Sequence, residues 1–234
     1  MRKLFIMGAS GKLMRHVVLS LASEYELILQ CNRRCSELAK LLSSSLREGV
    51  RNAHLIKHDF LSEGVESLVA KMRALTNSLD ASIIMEPVFD QSGFQNLSEE
   101  LIKEVTYLNI VVPLTLLRAL ASFMRGEGSS IIVLTDLTPI KGSKVYEGLT
   151  PSLPTLASSA AIHTVLREAK NHVPSNVKVF GIALGWVNVP SKKLPEDALK
   201  KSMNLEVVVR LIKRILSECP QELNGSVIEL SGYL

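Results

Sequence analysis

Two glycines stand in the stretch "FIMGASGKLMRHVV" (residues 5–18), where an apolar run gives way to a helical pattern. Backbone N–H groups at a helix N-terminus bind pyrophosphate when glycines leave them accessible, and the helix dipole adds to the attraction. The dinucleotide fingerprint has a third glycine, where this chain has Met14. We expect a phosphate-binding turn, with a plain tight turn as the alternative; its residues would be Gly8, Ser10, Gly11, Lys12 and Leu13.

The phosphate loop of NTPases, which also binds nucleotides, is excluded by the spacing of the glycines. A phosphate-loop NTPase needs wider glycine spacing and a hydroxyl residue after the lysine, but Lys12 is followed by Leu13.

Two arginines follow the second apolar run, in "QCNRRC" (residues 30–35). An NAD site usually carries an acid at about this distance from the glycines, to bond the ribose hydroxyls. A guanidinium can instead hold a 2′-phosphate through two parallel hydrogen bonds. Arg33 and Arg34 therefore favour NADP over NAD, with Lys12 as a further cation. The alternative is that both arginines belong to a solvated helix start.

Composition limits the classes of function. The 234 residues are 47% hydrophobic, which is enough for one sizeable core, and we expect residues 1–234 to form one dinucleotide-binding domain. The net charge of +4 suits anionic ligands, but no Lys/Arg block has the density of a nucleic-acid footprint.

The expected location is the cytoplasm. The first apolar run is too short for a signal peptide, and no stretch approaches the length that would span a membrane. The three cysteines form no disulfide framework, so we expect ordinary thiols at Cys31 and Cys35.

Short aliphatic runs alternate with helical patterns along the chain. This alternation predicts parallel βαβ units and an α/β fold: a doubly wound Rossmann-type sheet of about seven mostly parallel strands, with helices on both faces. The seven candidate strands are residues 3–8, 26–31, 53–59, 81–86, 129–136, 177–184 and 226–230.

The whole chain resembles the short-chain dehydrogenase/reductase family. The glycine turn matches, and Asp59 follows the third strand, where the family has an acid that contacts adenine. "YLNIVVPLTLLRAL" (107–120) resembles the family's long fourth helix and puts Asn109 on its asparagine. Gly185 stands where the sixth strand's Pro-Gly ends. The resemblance implies a nicotinamide cofactor and hydride transfer to or from a carbonyl or alcohol.

The residues that move protons in that family are missing here. The resemblance implies a tyrosine for proton exchange, a lysine four residues later that lowers the tyrosine pKa, and a serine that orients the carbonyl. In "TLASSAA" (155–161) Thr155 stands at the tyrosine and Ser159 at the lysine, while Asp136 stands at the serine. The family's Asn-Asn-Ala-Gly segment is replaced by "MEPV" (85–88). No Tyr-x-x-x-Lys occurs anywhere in the sequence.

Three hypotheses follow. The first is a protein that binds NADP(H) with little or no standard dehydrogenase activity, because a threonine hydroxyl cannot replace the tyrosine near neutral pH. The second is a working oxidoreductase with a relocated proton donor, for which the candidates are Asp136, Lys141, Lys144 and Tyr146, with Tyr146 and Lys144 as the best pair. Asn109 is the one position of the family's proton chemistry that this chain keeps, so it stays a candidate catalytic residue. The third is an interaction protein that no longer binds cofactor.

Other residues carry weaker signals. His54, His58 and Asp59 lack a further metal ligand, so we expect no metal site. Trp186 follows the sixth strand and could line the nicotinamide side or cover the sheet. The resemblance implies a homodimer or homotetramer, joined through helices around 98–125 and 154–172; the apolar residues there could equally pack against the sheet. We expect no nucleic-acid or membrane partner, and the substrate stays open.

Overall fold

The structure is a computed structural model, and it describes residues 1–45, 52–142, 151–190, 194 and 196–232. Seven strands form one sheet in the order β3-β2-β1-β4-β5-β6-β9, and every neighbouring pair is parallel. They are β1 (Arg2–Ile6), β2 (Tyr25–Cys31), β3 (Ala53–Lys57), β4 (Ala81–Met85), β5 (Ser129–Asp136), β6 (Val177–Leu184) and β9 (Val227–Leu230). The predicted fold class is confirmed.

Helices cover both faces of this sheet because each carries one apolar stripe. On one face the core holds buried residues of α1 (Met14–Leu21), α2 (Cys35–Ser45) and α9 (Leu205–Glu218). On the other it holds those of α3 (Phe60–Leu75), α5 (Val112–Ala121) and α7 (Leu153–Ala169). Between them the strands are apolar on both sides; all eight residues of β5 are buried. This is a doubly wound arrangement.

Smaller elements complete the described chain. The sequence does not predict a second, two-stranded parallel sheet of β7 (Val187–Asn188) and β8 (Met203–Asn204). Strands of two residues carry no readable periodicity, which explains the omission. The remaining helices are α4 (Glu99–Thr106), α6 (Thr138–Lys141) and α8 (Glu196–Lys200), with 3₁₀ turns at Phe94–Asn96 and Gln221–Leu223.

One helical run is longer than the sequence analysis expects. A π-helical turn (Tyr107–Val111) joins α4 to α5, so Glu99–Ala121 is 23 residues long and apolar enough to cross a membrane by length and composition. The expectation that no stretch approaches that length is therefore wrong. However, Val112, Leu116 and Leu120 pack against the sheet, and a buried core helix passes the same test. The run by itself is weak evidence for a membrane span.

The apolar residues expected at a dimer contact are mostly core residues. Most of them are buried within the chain: Val105, Leu108, Val112, Leu116, Ile162 and Leu166. Packing against the sheet accounts for them, and they leave the oligomeric state a prediction.

Cys31 and Cys35 form a disulfide, contrary to the expected ordinary thiols. Cys31 ends β2 and Cys35 begins α2, and the turn between them brings their Cα atoms within 5.4 Å, a separation that suits a disulfide. The sequence shows only the spacing, not this turn. The bridge encloses Asn32, Arg33 and Arg34.

If the bridge is present, the number of cysteines that can be alkylated depends on whether the protein is reduced first. The protein purified without reductant, then unfolded and treated with iodoacetamide, should carry one alkyl group on Cys219, the cysteine outside the bridge. After reduction by a dithiol before alkylation, all three cysteines should react. Mass spectrometry of the intact protein measures both counts. Three alkyl groups without reductant would contradict the bridge.

Candidate functional site

Two adjoining cavities open at the carboxyl ends of the strands, beside the point where the strand order reverses. The order runs outward from β1 to β3 on one side and from β4 to β9 on the other. Ligands of open α/β sheets bind in the crevice at such a switch point. The larger cavity has a volume of about 570 Å³ and the smaller about 290 Å³. Both are lined by Lys12, Met85, Glu86 and Val88, so they are continuous.

The larger cavity collects most of the predicted cofactor-binding residues. Its lining contains both glycines of the first turn, two side chains beside them, both arginines and the acid after β3: Gly8, Ser10, Gly11, Lys12, Arg33, Arg34 and Asp59. These residues come from the loops after β1, β2 and β3, three neighbouring strands. Arg33 and Arg34 lie in the loop after β2. A 2′-phosphate would lie there if the pyrophosphate of the same dinucleotide occupied the glycine turn.

Gln30 holds the glycine turn in place, a role that the sequence analysis misses. The Gly8 N–H donates to Gln30 Oε1 at 2.9 Å, and Gln30 Nε2 donates to the His58 carbonyl at 2.9 Å. Gly8 has a φ of +70°, which strains any residue with a side chain. A Cβ on Gly11 would lie 3.1 Å from the Gly8 carbonyl oxygen. The turn therefore favours glycine at position 8 for its backbone conformation and at position 11 for the close approach of the Gly8 carbonyl group.

Met14 leaves the cavity open. Its side chain is fully buried in the core beneath α1 and does not line either of the two cavities among the described residues. The missing third glycine thus affects the packing of α1 against the sheet and leaves the lining of the turn unchanged.

Asp59 and its neighbours have structural roles as well. Asp59 caps α3, since its Oδ1 accepts from the Leu61 N–H at 3.1 Å. His58 is fully buried, and burial lowers its pKa below the ordinary value. His54, in β3, lies with its Nε2 3.6 Å from Oε1 of Glu26, in the neighbouring strand β2. Within the described ranges, no three His, Cys, Asp or Glu side chains come together as metal ligands.

The smaller cavity is mainly apolar. It is lined by four of the predicted site residues, Lys12, Leu13, Asp136 and Gly185, and also by Trp186. Trp186 lines this cavity, in agreement with the first of its two predicted positions, beside a bound nicotinamide. The residue is only 5% exposed, and it belongs to a small buried cluster with Leu137 and Ala198. Asp136 is 7% exposed, and its Oδ1 accepts from the Thr138 N–H at 2.6 Å.

Glu86 is the main functional candidate that the sequence analysis misses. It follows β4 directly, and its carboxyl group accepts hydrogen bonds from Thr135 Oγ1 to Oε1 at 2.7 Å and from Ser159 Oγ to Oε2 at 2.8 Å, and a further one from the Asp136 backbone N–H. Burial raises the pKa of Glu86 to about 8, and the neighbouring Asp136 charge adds to this. The hydrogen bonds oppose the shift but do not cancel it. Near neutral pH Glu86 is therefore mostly a neutral acid.

Thr155 and Ser159, which the resemblance puts at the tyrosine and lysine positions of α7, are both buried. Thr155 is 1% exposed and lines neither cavity; its Oγ1 accepts from the Asp90 N–H at 3.1 Å. Ser159 is fully buried and donates to Glu86. A carboxyl group therefore contacts the position at which the resemblance would put an ammonium group.

The other candidate catalytic residues lie elsewhere. Asn109 is buried in the π-helical turn and clamps Val88: its Oδ1 accepts from the Val88 N–H, and its Nδ2 donates to the Val88 carbonyl at 2.7 Å. It orients the segment after Glu86 and does not line the described cavities. Lys141 pairs with Glu229 at 2.8 Å. Lys144 and Tyr146 lie outside the described residues.

Comparison with known proteins supports the fold. No protein-family model matches the chain, and neither does any curated protein. Solved structures do match over nearly its full length. One is a citronellol catabolism dehydrogenase of Pseudomonas aeruginosa PAO1, with a TM-score of 0.77 at 19% identity, covering 99% of this chain and 94% of that one.

Two further structures carry a bound nucleotide. A short-chain dehydrogenase from Burkholderia cenocepacia J2315 in complex with NADP has a TM-score of 0.84 at 16% identity, covering 99% of this chain and 96% of that one. An alcohol dehydrogenase from the archaeon Thermococcus sibiricus, complexed with 5-hydroxy-NADP, has a TM-score of 0.79 at 18% identity, covering 100% and 97%. The chain therefore has the fold of the short-chain dehydrogenases/reductases, as its sequence predicts.

Proposed function

We propose that this chain is an NADP(H)-binding, oxidoreductase-type protein of the short-chain dehydrogenase/reductase class, with little or no standard dehydrogenase activity. The observation that carries the proposal is the larger cavity, in which a glycine turn and two arginines meet at the switch point of the sheet. Its size lies in the range of small-molecule sites. The two neighbours with bound NADP and 5-hydroxy-NADP support the same assignment.

The residues present fit such a cofactor. Gly8 and Gly11 form a turn that admits no side chain at either position without strain or a close approach. Lys12, Arg33 and Arg34 provide positive charge along the same cavity. The continuation into the smaller cavity gives the nicotinamide end an apolar place beside Trp186. The cofactor would supply or accept hydride there.

The reduced activity follows from α7. General acid–base catalysis contributes about 10²–10⁴ in rate, and the tyrosine and lysine that provide it are absent. Thr155, at the tyrosine position, is buried against the Asp90 segment. A standard reaction through that position would lack both its proton donor and the cation that activates it.

The remaining assignments stay predictions. We infer a single dinucleotide-binding domain, a cytoplasmic location and a homodimer or homotetramer. The Cys31–Cys35 bridge weighs against the cytoplasm, because disulfides persist mostly in oxidising compartments.

Titration with NADPH and NADH tests the proposal directly. Trp186 is the only tryptophan and lines the smaller cavity, so its fluorescence should change when the nicotinamide end is occupied. We expect NADPH to bind in the micromolar range and NADH much more weakly. Absence of binding by either nucleotide at millimolar concentration would reject the cofactor assignment and favour an interaction protein.

A further inference from the structure

Glu86 stands at the junction of the two cavities and is accessible from both. It lines the larger and the smaller cavity alike, and the residue as a whole is partly exposed. Its backbone is held by the sheet, since the Glu86 N–H donates to the Leu134 carbonyl at 3.1 Å. A dinucleotide that runs from the glycine turn into the smaller cavity has to pass this carboxyl group.

Two partners of the carboxyl group are hydroxyl groups that can bond to it in either protonation state, whereas the Asp136 backbone N–H only donates. Thr135 and Ser159 are both buried hydroxyl residues, and each contacts a different oxygen of Glu86. A hydroxyl group can donate to a carboxylate or accept from a carboxylic acid by rotating its own hydrogen. These two hydroxyl groups can therefore follow the loss or gain of a proton by Glu86 by turning their own hydrogens.

The charged groups around Glu86 favour its neutral form. From β5, the Asp136 charge raises the pKa of Glu86, in the same direction as burial. From α7, the contact is the uncharged Ser159. From the first turn, Lys12 lines both cavities but is exposed, so water screens its charge.

We propose that the Glu86 carboxyl group is the proton-exchanging group of the cofactor site: it is neutral with the reduced nucleotide bound and ionised with the oxidised one. The inference rests on the NADP(H) binding of the proposed function, and it replaces the missing tyrosine of the standard reaction by a different proton donor. Its physical basis is charge, because the oxidised nicotinamide ring is cationic and the reduced ring is not. A cation beside a carboxyl group stabilises the carboxylate.

The proton has a balanced route in carbonyl reduction. Glu86 gives its proton to the carbonyl oxygen while the carbonyl carbon receives hydride from the reduced cofactor. The O–H bond of the carboxyl group breaks and that of the alcohol forms; the carbonyl is reduced and the nucleotide oxidised. The carboxylate that remains recovers a proton from water. The reverse sequence oxidises an alcohol.

The walls of the smaller cavity indicate the substrate class. Leu13, Val88, Phe89 and Leu184 line the same cavity as Glu86 and give it apolar walls. Asp136 adds a negative charge to the same wall. Such a site favours an uncharged, apolar aldehyde or ketone over a keto acid, whose carboxylate would be repelled.

Calorimetric titration can detect this proton without any substrate. NADP⁺ and NADPH are each titrated in two buffers of different ionisation enthalpy, and the slope gives the protons released on binding. A 2′-phosphate has a pKa of about 6 and can itself lose a proton beside Arg33 and Arg34. Both nucleotides carry this phosphate, so its contribution cancels in the difference between their proton releases. The difference that remains comes from the nicotinamide end.

We expect NADP⁺ to release more protons than NADPH at about pH 7.5, by up to about one proton per chain. Glu86→Gln keeps the shape and removes the titration, so the difference should vanish while binding persists. Ser159→Ala removes a hydrogen bond that lowers the pKa of Glu86, and should move the proton release to higher pH. Glu66→Gln, an exposed carboxyl group on α3 outside both cavities, is the matched control and should leave the difference unchanged.

The outcomes separate this inference from the proposed function. If neither nucleotide binds, the proposed function fails and the inference with it. If both bind with equal proton release, or if Glu86→Gln retains the difference, the inference is overturned and cofactor binding stands. Thermal unfolding of each variant confirms that it is folded before titration.

Discussion

Replacing Arg33 and Arg34 together by alanine is expected to weaken NADPH binding by about 10- to 100-fold and to leave NADH binding nearly unchanged. Both side chains line the larger cavity, in the loop after β2. A hydrogen bond to a charged group contributes about 1.5–3 kcal/mol, and about 1.4 kcal/mol corresponds to tenfold in affinity. Since only NADPH carries the 2′-phosphate, the loss should be confined to it. Fluorescence titration of the double variant measures both dissociation constants.

The control for this experiment is a cation outside the site. Arg118 is exposed on α5 and pairs with Glu66, outside both cavities. Arg118→Ala should bind both nucleotides as the unchanged protein does. An equal loss of NADPH and NADH affinity in the double variant would show that the arginines act on the shape of the loop and not on the phosphate.

The sheet is readable from sequence because its strands are buried on both faces. Such strands appear as continuous aliphatic runs, and all seven runs singled out in the sequence became strands within one or two residues at either end. The glycine turn and the two arginines are readable for a related reason. They lie directly after strands, and parallel strands bring their carboxyl ends to one edge.

The contacts of Glu86 with Thr135 and Ser159 cannot be predicted from the sequence in this way. Thr135 is 49 residues from Glu86 along the chain and Ser159 is 73, and no local spacing connects them. In sequence, "MEPV" shows only that the family's asparagine segment is missing. The contact exists because β4 and β5 are neighbours in the sheet and α7 packs against β5. Only the order of the strands, known from the structure, brings the three side chains together.

The hydrogen bond between Ser159 and Glu86 relates the serine on α7 to the glutamate after β4. A lysine at position 159 would face the Glu86 carboxyl group, and the two charges would form a buried ion pair. With serine there, the carboxyl group keeps its proton near neutral pH. Serine at position 159, where the resemblance would put a lysine, and glutamate at position 86 are therefore compatible as a pair.

Glu86 should also make the stability of the protein fall as pH rises. Its pKa is about 8 in the folded chain against an ordinary value of 4.5, so between these values the folded state binds more protons than the unfolded state. Stability therefore decreases with pH across this window, and the full contribution is present only below it. At about 1.4 kcal/mol per pKa unit, and with allowance for partial exposure of the residue, we expect a loss of about 2–4 kcal/mol.

Urea unfolding at a series of pH values, for the unchanged protein and for Glu86→Gln, measures this loss. Other groups titrate in the same range, among them His58 and His163, whose pKa values are lowered by burial. They contribute equally to both proteins, so the difference in unfolding free energy between the two isolates Glu86. The variant should become the more stable of the two above about pH 8, because glutamine makes similar hydrogen bonds without a charge to bury. Parallel curves across the whole range would mean that Glu86 is ionised in the folded protein.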